Sequence, residues 1–376
     1  MRSTVVTFLT VVTFAAQLQL GDASNNSSCM KGYTAKATKS GWKNIQTLVS
    51  FGDSYTDESR LTYFGEHGHA PPVGWIAPAS NNTFSGGKSW ARMAAELTGV
   101  KLDNYAVSGG VCSNNLTPRI WQTIMQPFPS VAEYEVPAFL ADHTSAETGC
   151  IDLNPATTAY SIWIGTNDLA GNAFLSDEHH HGKTVTDYTD CVFAQIKSLY
   201  DNAGARYFIL QNIAPLDLSP LYNSGTDGDH IYIPASRYYP TKARDFLGNG
   251  TKVEEKMKIL VKTTNDIFKY RAIATILTKE LPGATIALFD SHSLITDIYN
   301  SPAEYLTGPP PLNVTGMVVQ CPEPNFNGCY NYRDKDRNSF LWYDELHPSE
   351  ATLSIVAREV SKLLKGSDSP YVKILT

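Results

Sequence analysis

At 376 residues, with 42% hydrophobic and 18% charged residues, the chain can bury a sizeable core, and its composition excludes a disordered or fibrous protein. Its net charge of −7 leaves no electrostatic case for binding nucleic acid or an anionic membrane, and suits a neutral substrate better.

The chain opens with a basic start, Met1-Arg2, an apolar run from Val5 to Leu20, and small residues at Gly21 and Ala23. That pattern predicts a secretory signal peptide over 1–23, with one domain over 24–376. No later stretch has the length needed to cross a bilayer. Loss of the signal removes one base, Arg2, and one acid, Asp22, so the mature charge stays at −7. The 6 cysteines, Cys29, Cys112, Cys150, Cys191, Cys321 and Cys329, all follow it. In a secreted chain they imply disulfides. Cys321 and Cys329 bracket a loop-like stretch and are expected to pair, while the remaining connectivity stays open. Sequons at Asn25, Asn26, Asn81, Asn115, Asn249 and Asn313 predict glycosylated surface loops.

The first strong strand signal, Ile45 to Phe51, ends abruptly in Gly52-Asp53-Ser54. Residues 55–86 read as a long loop rich in glycine, proline and aromatics, an ordered wall rather than disorder. Ser89 to Leu97 has helical spacing and stops near Gly99. A short strand over 102–107 is broken by Ser108-Gly109-Gly110, and 113–157 shows no clean period. Thr158 to Ile164 is a buried-strand signal closed by Gly165-Thr166-Asn167-Asp168. Helices are predicted over 184–202, 253–281 and 349–364, and strands over 206–211 and 284–289. Strands alternating with helices predict a mainly parallel five-stranded sheet in a three-layer α/β/α sandwich with long loop insertions.

In such a sheet the loops after the first three strands crowd one edge. Acyl transfer there needs a nucleophile, a base, a group that orients the base, and donors for an oxyanion. Ser54 supplies the hydroxyl. His347, in Asp344-Glu345-Leu346-His347-Pro348, can take its proton, and Asp344 can fix the imidazole tautomer. The backbone N–H groups of Ser54 and Gly109 and the side-chain amide of Asn167 are the candidate oxyanion donors. Glycine at 109 permits close approach of backbone to substrate. Asp53 and Asp168 read as structural, fastening their turns.

These four blocks, Gly52-Asp53-Ser54-Tyr55, Asn104 to Gly109, Gly165-Thr166-Asn167-Asp168 and Asp344 to Pro348, resemble the GDSL/SGNH hydrolases in kind and in order. Tyr55 departs from the leucine of that motif. The run Phe51 to Asp57 with the long insertions is most similar to fungal acetylesterases of carbohydrate esterase family sixteen. The resemblance implies a secreted, monomeric serine esterase removing acetyl groups from acetylated xylo-oligosaccharides and related sugars. It implies no cofactor, no metal, no nucleic acid and no membrane partner.

Trp342 and Tyr343, just ahead of Asp344, are a candidate sugar-binding wall, although core packing accounts for them equally well. The run Glu178-His179-His180-His181 cannot face one ion without rearranging its loop, and the chemistry needs no metal. Asp290-Ser291-His292-Ser293 reads as a strand-to-helix turn with a capping serine. Two other functions use the same fold: a lipase or phospholipase acting on longer acyl chains, and a catalytically silent sugar-binding or wall protein.

Overall fold

The computed structural model describes residues 36–122, 124–144, 153–225, 232–320, 329–331 and 336–376. The signal segment, Asn25 and Asn26 lie outside these residues, as does Cys321 and with it the Cys321–Cys329 pairing.

A central sheet carries β1 (Thr47–Gly52), β2 (Lys101–Asn104), β3 (Thr158–Trp163), β4 (Tyr207–Gln211), β5 (Thr285–Phe289) and β6 (Val372–Leu375). Their order is β6-β5-β4-β3-β1-β2. The first five are mutually parallel, as their apolar runs predict, since β3 and β4 are buried along their whole length. The sheet has six strands where five were expected. The addition, β6, pairs antiparallel with β5 at the edge, from Val372 opposite Phe289 to Leu375 opposite Ile286. Four residues at the chain end carry too little pattern to announce a strand, and their pairing partner decides it.

The helices of eight residues or more are α1 (Arg60–His67), α2 (Trp90–Thr98), α3 (Val136–Thr144), α4 (Val185–Ala203), α5 (Gly250–Leu277), α6 (Ser291–Asn300) and α7 (Glu350–Leu364). Helices α2, α6 and α7 pack as one group and α3, α4 and α5 as another, flanking the sheet. Sequence marks several of the starts. Ser89, Thr184 and Ser349 each accept a backbone N–H from the first turn of α2, α4 and α7, and Thr184 with Asp187 forms a capping box.

α1 falls within the expected loop. Its start is made by Asp57, whose carboxylate accepts the N–H groups of Ser59, Arg60 and Leu61. Only Arg60 and Phe64 of this helix are buried, too few to give an apolar stripe. The stretch 113–157 likewise contains α3, entered through a π-turn over Val131–Glu135.

A disulfide joins Cys112 to Cys191, tying the loop after β2 to α4. Asn81, Asn115 and Asn249 are exposed and Asn313 is half-buried.

Candidate active site

β1 lies where the chain reverses its direction of sheet growth, with β2 on one side and β3 on the other, the place where parallel sheets open a crevice at their carboxyl ends. Gly52 ends β1 at φ +148°, where an added Cβ would stand 2.2 Å from the Trp163 carbonyl oxygen. No other residue fits that approach. The turn that follows is fastened by Asp53. Its carbonyl accepts Thr56 and Asp57 N–H, each at 2.9 Å, and its carboxylate accepts Tyr55 N–H at 3.0 Å.

Three side chains lock this turn to the loop after β2. The Asn104 amide donates to Thr56 O at 2.7 Å. Asp57 accepts both the N–H and the hydroxyl of Ser108, at 2.9 and 2.7 Å. Glu135, buried at the end of the π-turn, accepts Gly52 N–H at 2.8 Å and Val107 N–H at 3.2 Å. Burial pushes its carboxyl well above the usual range. Glu135 was not legible as a site residue, because nothing local distinguishes it from a surface helix glutamate.

Gly109 takes φ +82°, and an added Cβ would meet the Phe128 ring at 2.5 Å. Gly110 has no such φ, which separates the two adjacent glycines. Among the described residues the N–H groups of Ser54 and Gly109 have no protein partner, so both are available to a ligand. Asn167 is buried after β3 and donates one amide hydrogen to Gly110 O at 2.8 Å, leaving its second. Asp168 turns away, accepting Cys112 N–H and the Thr117 hydroxyl, and burial pushes its carboxyl up to about 7. Asp53 and Asp168 thus fasten turns.

The fourth block arrives from the other end of the chain. Asp344 Oδ1 accepts the N–H groups of Leu346 and His347, a turn that aims the imidazole back along the carboxylate. His347 Nδ1 lies 2.9 Å from Asp344 Oδ1 and 3.0 Å from Oδ2. Its Nε2 lies 2.7 Å from Ser54 Oγ, across 293 positions of sequence. The ring is walled by Phe84, Tyr55 and Tyr238, with centroids 5.3, 5.7 and 5.2 Å away. Tyr55 is buried and donates its hydroxyl to Leu346 O at 2.8 Å, so the departure from leucine adds a strut under the histidine turn. Burial alone would raise the Asp344 carboxyl; the His347 ring and then the Arg237 guanidinium outweigh it and hold the group at about 2.

Trp342 does not form a sugar wall. It is fully buried, its indole N–H donates to Val314 O at 3.1 Å, and the short run Phe340–Trp342 pairs with Asn313–Met317 under the site. Phe340, Leu341 and Trp342 are all buried, so both faces of that run are covered. Tyr343 lies at the surface side of the same run, against Gly86. His179 packs on Phe174, apart from the site. At the start of α6 the cap is Asp290 rather than a serine, accepting Ser293 N–H at 3.0 Å. Arg237 and Tyr238, both on Asp344, had no local signal in the sequence.

The sequence profile described as GDSL-like Lipase/Acylhydrolase matches residues 48–360, spanning all four blocks. The chain belongs to that family. An acetylesterase of Hypocrea jecorina is 38% identical over 85% of this chain and 88% of the relative. A second acetylesterase, from Thermothelomyces thermophilus, is 23% identical over the same shares. Among solved structures, an acetylxylan esterase from Geobacillus stearothermophilus aligns over 87% of this chain and 97% of that one, at 13% identity and a TM-score of 0.37. Family membership rests on the profile and the first relative. The protein is therefore an ester hydrolase built on a central, mainly parallel sheet, and no helix among its described residues is long and apolar enough to cross a membrane.

Proposed function

We propose that this hydrolase is a secreted serine acetylesterase that deacetylates carbohydrates through an acyl-Ser54 intermediate. The observation that carries the reading is the unbroken relay from Ser54 Oγ to His347 Nε2 at 2.7 Å and from His347 Nδ1 to Asp344 at 2.9 Å. His347 takes the Ser54 proton as Oγ attacks the ester carbonyl, and Asp344 stabilises the imidazolium that forms. The oxyanion is held by Ser54 N–H, Gly109 N–H and the free amide hydrogen of Asn167. His347 then protonates the departing sugar hydroxyl. In the second half it deprotonates the water that releases acetate and restores Ser54.

The acetyl preference is supported by the names of the two fungal relatives. A carbohydrate leaving group is supported by a cavity of about 340 Å³ beside the site, with Phe84 and Trp121 among its walls and Thr62, Glu66, Asn82 and Ser108 as polar lining. Phe84 also packs on His347, so one ring is shared between the cavity wall and the triad. Aromatic faces with scattered hydroxyl, amide and carboxylate groups suit a sugar ring. The Cys112–Cys191 disulfide supports secretion, since such bonds persist in oxidising compartments, and residues 24–376 then form one esterase domain.

Hydrolysis of a chromogenic acetate beside a long-chain ester, with wild type and Ser54→Ala, tests this, followed by acetylated xylo-oligosaccharides. Fast acetate turnover that Ser54→Ala abolishes, together with release of acetate from the sugars, is expected. Preference for the long chain, or turnover that survives Ser54→Ala, contradicts it.

A further inference from the structure

The two oxygens of Asp344 share His347 and differ in their other partners. His347 Nδ1 lies 2.9 Å from Oδ1 and 3.0 Å from Oδ2, and Oδ1 also accepts the N–H groups of its own turn. Oδ2 accepts the Arg237 guanidinium at 2.7 Å and the Tyr238 hydroxyl at 2.9 Å. The Arg237 side chain is 9% exposed and the Asp344 side chain 1%, so this ion pair sits out of bulk water. Arg237 also reaches toward Glu345, its Nε 3.5 Å from the carboxylate. Acyl transfer by a serine relay does not call for a cation at this place. The carboxylate stabilises the imidazolium by its negative charge, and a guanidinium on Oδ2 offsets part of that charge.

We infer that Arg237 is a positioning residue acting through Asp344: it holds the carboxylate in place for His347 and, by offsetting its charge, keeps the imidazole neutral and competent as a base further into acid. The inference rests on the triad reading above. Tyr238 assists from the same segment, adding an uncharged donor to the same oxygen and one ring of the wall beside His347.

The other groups that bear on His347 leave this pair in charge at low pH. Asp53, on the nucleophile turn, and Glu345, next to Asp344, both act on the ring by their charge, and Arg119 acts on Asp53. Burial pushes Asp53 up to about 6 and Glu345 up to about 7, so both lose their negative charge in mild acid. Tyr55 and Tyr238 stay neutral, since burial pushes both phenols well up. Phe84 is apolar. Among the described residues, Asp344 and Arg237 remain as the charged pair against the ring.

The test is the pH dependence of kcat/KM on a small acetate for wild type, Arg237→Met, Arg237→Lys and Tyr238→Phe, with thermal melts to confirm folding. Arg237→Met is expected to move the acid limb upward by about one pH unit, a tenfold loss at the acid end. Arg237→Lys should stay near wild type, and Tyr238→Phe should move the limb upward by about half a unit. A purely structural role lowers the plateau and leaves the limb where it was. An unmoved or downward-moving limb in Arg237→Met overturns the inference, and if that variant does not fold, an unmoved limb in Arg237→Gln, which keeps a donor without the charge, does so. Activity that survives Ser54→Ala rejects the triad reading itself, whereas Ser54-dependent activity with an unmoved limb rejects only the role of Arg237.

Discussion

The ends of β1 and β5 carry nearly the same residues and do different things. Both strands are buried and parallel, both finish at the same edge of the sheet, and both run into Asp-Ser, Asp53-Ser54 at one and Asp290-Ser291 at the other. At β5 a helix starts at once. Asp290 caps it, the Ser291 hydroxyl is buried on Gln211 Oε1 at 3.1 Å, and the His292 N–H goes to Asn212. The His292 side chain lines a cavity of about 640 Å³ with Asp217, Lys258 and Ser293, and the Ser293 hydroxyl is spent on Asp290 Oδ2 at 2.7 Å. At β1 the next helix waits until Arg60, and Asp53 and Asp57 satisfy the intervening turn. That delay leaves the Ser54 hydroxyl and N–H unspent, and three distant segments converge on them. Residue type at a strand end is cheap; an unspent serine facing a distant histidine is the functional signal.

The comparison breaks first at Ser54. Ser54→Ala should lower kcat by about 10⁶-fold with melting temperature little changed. Asp344→Asn should cost about 10⁴-fold, because the amide favours the wrong imidazole tautomer, and steady-state rates on a small acetate read both. Asn167→Ala should cost about 10²–10³-fold in kcat with KM nearly constant, since its amide is proposed to act on the oxyanion and not on the ground state.

Buried carboxyls around the β1 site add a stability signature. Asp168, raised to about 7, binds its proton more tightly folded than unfolded. Its contribution is full below the ordinary carboxyl range and is lost as pH rises through 7, and Asp53 behaves alike through 6. Asp344, held at about 2, has the opposite sign: its contribution is present above the ordinary range and lost as pH falls toward 2. Melting temperature should therefore peak in mild acid and fall on both sides. Asp168→Asn should flatten the alkaline fall, which a melt series across pH would show. The smallest effects belong to β5, where Ser291→Ala and His292→Ala should each change kcat/KM by less than about twofold.

Legibility followed the range over which each feature is encoded. The five parallel strands and the four site blocks were readable because each is a contiguous run, an apolar stretch closing in small polar residues. What escaped depends on distant partners. β6 is a strand because β5 is there to pair with it, and α1 is a helix because Asp57 caps it and Arg60 donates to the Asn104 carbonyl. Arg237 meets Asp344 across 107 positions, with no spacing rule to connect them. The misplacement of Trp342 has the same kind of cause: an aromatic next to a site aspartate suggests a wall, but the run Phe340–Trp342 is covered on both faces and pairs with the distant run Asn313–Met317.

The central claim is that the nucleophile is Ser54 and not another serine of the sheet edge. A fluorophosphonate that mimics the tetrahedral acyl intermediate, followed by peptide mapping of the labelled protein, tests it most directly. The label is expected on Ser54 alone, with loss of activity in step with labelling, and none in His347→Ala. Labelling at Ser291 or elsewhere in step with inactivation, or full turnover by protein labelled at Ser54, contradicts it.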